Sequence, residues 1–530
     1  MSYVARDNKI TPETIEVAAA SNPDAIALAR SGKKEVLTRR FGFWSMTGFS
    51  CGLMCTWEGM LVAFTLGFAN GGPAGLIYSF FIAWLGTISV FIVMGELASM
   101  IPTAGGQYHW VSLLAPESSQ RVLSYVTGWI TVVGWTVGTS AIAFFVSSLI
   151  QALMVLNLDN YDPVGWQGTL LFWGVLLISL VINVAFMNVL PAIEVAILVL
   201  HVVGFFAVLL PVVCLGPRSQ PSAVFNTWQN AGGFSSQALS FFVGLNGNAI
   251  AFVGTDGPVH MSEEVRNAAK NVPRSMIYST LLNGVLAFGI LLAVLFHMGS
   301  MEDAMNNAPN GFPFIAIFAS SVGSKAGATA MTSLIIVLEL FCCVDSVAAA
   351  SRMMWSFARD RGLPGHATLK KVDGRTTIPL AAVVVVFIGG LLIGLINIGS
   401  TTAFNAVVSM ALEAFYSSYL LACGILLYRR IRGDIRDPDT EPTKERPYEW
   451  GPWRLKGLLG TLNNIVACAY LLLVIFFGYW PTMLPVTAAN MNWSSTVLGS
   501  VAIFSMGYYL LRARNGYTGP VVEVRLVGYD

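Results

Sequence analysis

Seven acidic residues stand inside stretches of the sequence that are otherwise apolar. An ionisable side chain is costly in such a stretch, so each of the seven is a candidate functional group. Their positions are Glu58, Glu96, Glu194, Asp256, Glu339, Asp345 and Glu413.

Asp256 lies within a break in one of these apolar stretches, the segment Gly254-Thr255-Asp256-Gly257-Pro258. Its glycines and proline disfavour a continuous helix. Asp256 either faces a positively charged substrate or accepts hydrogen bonds from the free N–H groups that begin the next helix. The residue types leave both roles open.

Glu194 and His201 are candidates for a group that binds and releases a proton. They are seven residues apart in one apolar stretch, which places them on roughly the same face of a helix. The pKa of a buried carboxyl or imidazole can be tuned by burial and by neighbouring charges. A histidine satisfied by a backbone carbonyl is the alternative. Glu58 could bind the substrate or the proton, or it could have a structural role at a helix end.

The composition indicates whether these residues lie in water or in a membrane. Of 530 residues, 55% are hydrophobic and 11% are charged, against roughly a quarter charged in soluble domains. We therefore predict an all-α polytopic membrane protein. Twelve apolar runs are long enough to cross roughly 30 Å of hydrocarbon, and they lie near residues 42–69, 74–100, 122–153, 167–188, 190–215, 237–261, 276–298, 327–356, 378–396, 402–428, 458–480 and 491–511.

The basic residues predict the orientation. If the N-terminus is cytoplasmic, all Lys and Arg residues except Arg218 and Lys325 fall in inner segments, as short cytoplasmic loops require. Both ends are then cytoplasmic. The first forty residues have no cleavable signal peptide and are expected to form a disordered tail. We expect the plasma membrane as the location, with the vacuolar membrane as the alternative.

Several classes of function and site are disfavoured. A net charge of +1 argues against a nucleic-acid partner. All seven cysteines lie in apolar spans, so a disulfide framework is not expected. The Cys and His spacing predicts no metal site, and five scattered histidines form no catalytic cluster, so we expect neither an enzyme nor a cofactor.

Spans one and six are both irregular. Span one carries small and polar residues over 47–52 and then Trp57-Glu58-Gly59, while span six carries the break at Asp256. Irregular backbone in a membrane is tolerated where it is buried in protein or lines a cavity. Paired breaks five spans apart indicate a transporter site between two inverted repeats. Close helix packing through small residues is the alternative reading.

Three motifs resemble those of the amino acid–polyamine–organocation permeases. They are 95-GELASMIPTAGGQYHWVSLLAP-116, 256-DGPVHMSEEVRNAAKNVPRSM-276 and 350-ASRMMWSFARDRGLPG-365. The fungal amino acid/choline permeases are the most similar subgroup, through residues 70–73 and 397-NIGSTTAFNA-406. The resemblance implies a five-plus-five inverted-repeat fold with broken helices one and six and two extra helices. It also implies uptake of an amino acid, 4-aminobutyrate or choline, usually coupled to protons.

The resemblance also implies where the substrate binds. Helix six should unwind from Phe252 to Gly257, and helix one between Ser50 and Gly59, where N–H groups could bind a carboxylate. Aromatic faces at Trp44, Trp57, Trp135 or Phe252 could hold a cationic nitrogen, worth ~2 kcal/mol when desolvated. The expected substrate-binding residues are Ser50, Cys51, Gly52, Trp57, Phe252, Gly254, Thr255, Asp256 and Gly257.

Charged residues at the inner helix ends are candidates for a gate. Glu96, Glu263 and Glu264 are expected near Arg121, Arg266 and Arg352, in ion pairs that break when the protein opens inward. A solvated interfacial charge is the alternative. The predicted organisation is a tail (1–40), a first repeat (41–215), a second repeat (237–430), a cytoplasmic loop (431–457), two further spans (458–511) and a tail (512–530).

A permease-like nutrient sensor or a channel remains an alternative to a coupled carrier. A sensor usually needs a large signalling tail, and both tails here are short. Discrete broken helices with aromatic residues suit a closing site better than an open pore. Saturable uptake that depends on a gradient separates the carrier from both alternatives.

Overall fold

The computed structural model describes residues 15–18, 22–441, 443, 446–488 and 490–527. Almost all of the regular structure in this part is helical, so the predicted all-α class is confirmed. The helices are α1 (Pro23–Arg30), α2 (Phe43–Met54), α3 (Thr56–Val62), α4 (Phe64–Met100), α5 (Gln107–Leu114), α6 (Gln120–Asn157), α7 (Gly165–Ala185), α8 (Leu190–Leu215), α9 (Pro221–Phe225), α10 (Gln237–Ala249), α11 (Gly257–His260), α12 (Ala268–His297), α13 (Met301–Asn306), α14 (Pro313–Val322), α15 (Lys325–Arg359), α16 (His366–Leu369), α17 (Leu380–Gly399), α18 (Thr401–Arg432), α19 (Gly457–Gly478) and α20 (Ser494–Leu511). Four short strands are β1 (Ile15–Ala18), β2 (Ile435–Arg436), β3 (Tyr448–Glu449) and β4 (Val524–Val527).

Within the described ranges, eleven helical segments are long and apolar enough to cross a membrane. The predicted first span, 42–69, is divided among α2, α3 and the start of α4. Inside α4, Gly72 has φ +65° and marks a kink. A Cβ at Gly72 would lie 2.8 Å from the backbone N of Gln229, so glycine is needed there for space as well as for conformation. The predicted spans one and two therefore meet at this glycine.

The first helix break lies at Cys55. This residue adopts the left-handed conformation, with φ +42°, and separates α2 from α3. Ser50, Cys51 and Gly52 consequently lie in the last turns of α2 rather than in the break. A non-glycine residue in this conformation is uncommon and marks a position that its surroundings must hold.

The second break follows α10. A 3₁₀ turn over Ile250–Phe252 ends at Val253, where the backbone is extended, and Gly254 has φ +93°. The two breaks touch: a Cβ at Gly257 would lie 2.0 Å from Cδ2 of Leu53 in the last turn of α2. A side chain at Gly257 would therefore require the Leu53 side chain to move, so glycine favours the close approach of α11 to α2.

Both tails fold onto one end of the bundle, which we call the tail end; α4, α15 and α18 end there at Met100, Arg359 and Arg432. β1 and β4 pair in parallel, and Ala29 of α1 packs on Val524. The expected disorder of residues 1–40 is therefore wrong for β1 and for residues 22–40, while residues 1–14 and 19–21 lie outside the described part. Contacts with the bundle, not local sequence, order this tail.

Candidate functional site

Side chains from two other helices form hydrogen bonds with backbone groups that the first break leaves without a partner inside a helix. The thiol of Cys342 in α15 donates to the carbonyl oxygen of Leu53, with an S···O distance of 3.1 Å. The N–H of Thr56 donates to Oδ1 of Asn283 in α12 at 3.2 Å. Buried backbone groups without partners would cost free energy, so these two contacts stabilise the interruption.

Asp256 lies at the second break and is fully buried. The hydroxyl of Tyr419 donates to Oδ1 at 2.5 Å, and Nε2 of Gln107 donates to Oδ2 at 2.6 Å. Nε2 of His260 is 3.4 Å from the same Oδ2. Asp256 occupies the N-cap position of α11, yet its side chain makes no capping hydrogen bond. The sequence left two roles open for Asp256, and the structure does not show the one in which it caps the next helix.

The aromatic candidates fall into different surroundings. Trp135 meets the ring of His260 edge-on, with 5.5 Å between centroids, and so lies close to Asp256. Phe252 packs on Phe80 of α4. Trp44 is 67% exposed on the outside of α2 and does not join the site.

Trp57 has aromatic neighbours that differ from those of Trp135 and Phe252. Its ring packs against His201 and Phe205 of α8, with centroids 6.0 Å and 6.1 Å away. Trp57 is fully buried. It therefore belongs with the α8 residues considered next.

The two residues proposed for proton coupling on α8 have different partners. Nδ1 of His201 lies 2.8 Å from Oε1 of Glu58, and both side chains are fully buried. Glu194 instead faces the region of Asp345: the Cβ position of Gly52 lies 4.0 Å from Oε2 of Glu194 and 3.0 Å from Oδ2 of Asp345. Two acidic groupings therefore flank the first break.

A third grouping contains two thiols. The ligand atoms of Cys55, Glu339 and Cys342 all lie within 4.8 Å of one another and are buried. Thiolates and a carboxylate can together hold a soft divalent cation. Sequence spacing did not predict this arrangement, because Cys55 is more than 280 residues from the other two.

Ion pairs connect helices at the tail end. Nε of Arg352 lies 2.8 Å from Oε1 of Glu264, and Nη1 of Arg359 lies 3.0 Å from Oε2 of Glu263. Glu96 pairs with Arg430 of α18 rather than with any of the three arginines that the sequence suggested. Its other oxygen accepts the N–H of Leu455 at 2.8 Å.

The tails extend this ion-pair set. Lys33 pairs with Asp360, which also accepts a hydrogen bond from the Tyr108 hydroxyl at 2.7 Å. Glu523 accepts from Nε of Arg359 at 2.7 Å. Burial opposes ionisation of Glu523, but the charges of Lys33 and Arg359 outweigh it and lower the pKa of this carboxyl to about 2.

Four residues that complete these sites were not predicted: Gln107 and Tyr419 at Asp256, and Cys342 and Asn283 at the first break. Gln107 lies inside the quoted motif 95-GELASMIPTAGGQYHWVSLLAP-116, which was a usable signal. The other three carry no sequence signal, because their roles depend on which helices pack together.

The chain resembles known transporters over most of its length. A profile of the family described as amino acid permease matches residues 41–503. A protein of Macrophomina phaseolina (strain MS6) named as an amino acid/polyamine transporter is 32% identical over 455 residues, covering 85% of this chain and 97% of the relative. A choline transporter of Saccharomyces cerevisiae is 27% identical, covering 93% of this chain and 84% of the relative. Amino-acid permease BAT1 of Arabidopsis thaliana is 26% identical, covering 94% and 96%. The predicted family is thereby confirmed: the chain belongs to the amino acid permease family and is a multi-pass membrane transporter rather than an enzyme.

Proposed function

We propose that this permease imports a small amino compound by alternating access, coupled to protons. The observation that carries the proposal is the contact between the two helix breaks beside Asp256, a fully buried carboxylate. An amino acid, 4-aminobutyrate and choline share a cationic nitrogen. A buried carboxylate with aromatic neighbours is suited to such a group.

In this proposal the substrate nitrogen contacts the Asp256 carboxylate alongside its present hydrogen-bond partners. Gln107 and Tyr419 donate one hydrogen bond each to its two oxygens, which holds the carboxylate in place without neutralising its charge. A substrate cation that reaches Asp256 gains an electrostatic contact that neither neutral donor supplies. Trp135 and Phe252 lie close enough to the break to form the walls of the site.

The predicted donors for a substrate carboxylate lose support. The amides of Ser50, Cys51 and Gly52 lie within α2, and the freed N–H of Thr56 is taken by Asn283. The carbonyl of Leu53, which the same break frees, accepts a hydrogen bond from the thiol of Cys342. The Leu53 carbonyl and the Asp256 carboxylate are both hydrogen-bond acceptors, so they suit the cationic end of a substrate better than its anionic end.

We assign proton coupling to Glu58 and His201. Glu58 is in α3, next to the first break, whereas His201 is in α8. A movement of α3 relative to α8 would separate the pair and change the environment of both ionisable groups. Glu194 and Asp345 form a second acidic grouping for the same role.

We further propose that the tail end faces the cytoplasm of a cell whose plasma membrane holds the protein. Support comes from the concentration of basic side chains there, Arg352, Arg359 and Arg430 among them. The arrangement of residues 41–215 and 237–430 as inverted repeats belongs to the same proposal. Ion pairs at the tail end then hold the cytoplasmic side closed.

Uptake measurements test the proposal. The purified protein in liposomes is offered labelled amino acids, 4-aminobutyrate, choline and a polyamine, with and without a protonophore. We expect saturable accumulation of one class and its loss with the protonophore. Uptake that does not saturate would indicate a channel, and correctly folded protein that transports none of the panel would favour a sensor.

A further inference from the structure

A cavity of about 300 Å³ opens at the tail end, between the end of α18 and the beginning of α19. Arg430, Arg454 and Lys456 line it. Asp437 is an acidic residue in the lining, and its Oδ1 lies 2.6 Å from Nη2 of Arg454. The cavity is separate from the helix breaks and has no part in the transport site proposed above.

Two of the arginines have hydrogen-bond donors without a partner. The Arg430 side chain is 7% exposed and is held by Glu96 and by the face of Trp450, 4.6 Å from the guanidinium carbon to the ring centre. Nε of Arg430 and Nη1 of Arg454 are nevertheless buried, and neither atom has a hydrogen-bond acceptor in the described part of the chain. A buried donor without an acceptor is costly, and an anion in the cavity would remove that cost.

The beginning of α19 adds further donors. This 22-residue helix starts at Gly457, after Lys456, and no side chain caps it. The first N–H groups of a helix have no partner within the helix, and its dipole favours negative charge at this end. Gly457 itself lines the cavity. The arginines and the start of α19 therefore line one cavity and could bind one anionic ligand together.

Apolar side chains beside the cavity indicate that the anion is part of a lipid. Leu458 and Leu459, the next residues of α19, are 73% and 66% exposed, and Ile431 of α18 is 68% exposed. On a membrane-spanning helix such residues face acyl chains. A soluble anion would make no use of these surfaces, whereas a phospholipid contacts both them and the cavity.

We propose that this cavity binds the phosphate of an anionic phospholipid headgroup, with the acyl chains lying along α18 and α19. Arg430, Arg454 and the N-terminal amides of α19 hold the phosphate, while Lys456 contributes a further positive charge. The inference requires the tail end to lie at a membrane surface, and it is independent of the compound transported. Basic pockets between membrane helices are suited to anionic headgroups for these electrostatic reasons.

Thermal unfolding and native mass spectrometry of the full-length protein test this proposal. The protein is placed in nanodiscs of phosphatidylcholine, in nanodiscs that also contain phosphatidylserine, and in phosphatidylcholine nanodiscs with inorganic phosphate added. We expect phosphatidylserine to raise the melting temperature and to remain bound, and inorganic phosphate to do neither. Equal stabilisation by inorganic phosphate would overturn the assignment to a lipid.

Variants locate the effect. Arg454→Gln combined with Lys456→Gln should weaken retention of phosphatidylserine roughly twenty-five-fold, since each basic residue near an anionic surface contributes about a factor of five. The control, Lys270→Gln with Arg274→Gln, removes two exposed charges at the start of α12. Lys456→Glu alone changes an exposed residue and should act in the same direction if the double variant folds poorly. Equal retention by the cavity variants and the control would overturn the proposal.

Discussion

Nδ1 of His201 lies 2.8 Å from Oε1 of Glu58, and neither side chain is accessible to solvent. The pair joins α3, which adjoins the first helix break, to α8. The remaining polar atoms, Oε2 of Glu58 and Nε2 of His201, have no hydrogen-bond partner among the described residues.

Replacing Glu58 by Gln should uncouple transport from the proton gradient. The amide keeps the size and a hydrogen-bonding oxygen of the carboxylate but cannot bind and release a proton near neutral pH. We expect exchange of substrate across the membrane to persist while protonophore-sensitive accumulation is lost. Radiolabel uptake into liposomes with an imposed pH gradient measures both. The control Glu413→Gln changes another buried carboxylate, next to Gly478, and should leave coupling intact.

Replacing Asp256 by Asn should weaken substrate binding. A hydrogen bond to a charged group contributes about 1.5–3 kcal/mol, so KM should rise roughly ten- to hundredfold. Tyr419→Phe, which removes one donor to Asp256 but keeps the charge, should have a smaller effect. Concentration-dependent uptake measures KM, with the exposed Asp303→Asn as a control. An unchanged KM in well-folded Asp256→Asn protein would exclude a role for the charge.

The thiol of Cys342 should stabilise the first break through its contact with Leu53. Cys342→Val leaves the buried carbonyl without a donor, which costs about 1–3 kcal/mol. Cys342→Ser retains a donor of similar size and should unfold at a temperature closer to that of the wild type. Thermal unfolding in detergent compares the two variants. Equal melting temperatures would show that the contact contributes nothing to stability.

Lys33 should hold the N-terminal segment against the tail end. Lys33→Met leaves Asp360 buried without its cation, and breaking a buried ion pair in this way costs about 3–5 kcal/mol. We expect residues 22–40 to exchange their amide hydrogens faster. The neighbouring Lys34 has an exposed side chain, so Lys34→Met is a matched control with the same change of charge. Equal exchange in both variants would contradict the prediction.

Acid should detach the C-terminal segment. The pKa of Glu523 is lowered from an ordinary 4.5 to about 2, so its ion pairs stabilise the folded tail above pH 4.5. That contribution is lost as the pH falls from about 4.5 towards 2, where Glu523 binds a proton. Amide exchange of residues 516–527 as a function of pH measures this. In Glu523→Gln the acid-dependent step should be absent, and exchange should be fast already at neutral pH.

Much of the bundle could be predicted because hydrocarbon imposes long apolar runs. The same constraint made the second break visible, since two glycines and a proline interrupt such a run at Asp256. The first break was placed less well, because Cys55 holds a left-handed conformation without any compositional signal. Its position depends on Cys342 and Asn283, which lie far away in the sequence.

Pairing between helices was the harder problem. Glu194 and His201 do share a face of α8, but seven residues of helix separate them by about 10 Å along its axis. Each therefore meets a different part of the neighbouring helices, Asp345 in one case and Glu58 in the other. Periodicity gives the direction of a side chain and not its partner. The same limit applies to Glu96, whose basic partner, Arg430, lies on α18.

The pairing of β1 with β4 joins segments more than 500 residues apart in the sequence. In chain order, β1 precedes every described helix that could cross a membrane, and β4 follows α20, the last of these described helices. Because the ribosome makes β1 before β4, this pair of strands can form only after α20 has been made. A chain that stopped before residue 523 would leave Arg359 without Glu523 and β1 without its partner strand.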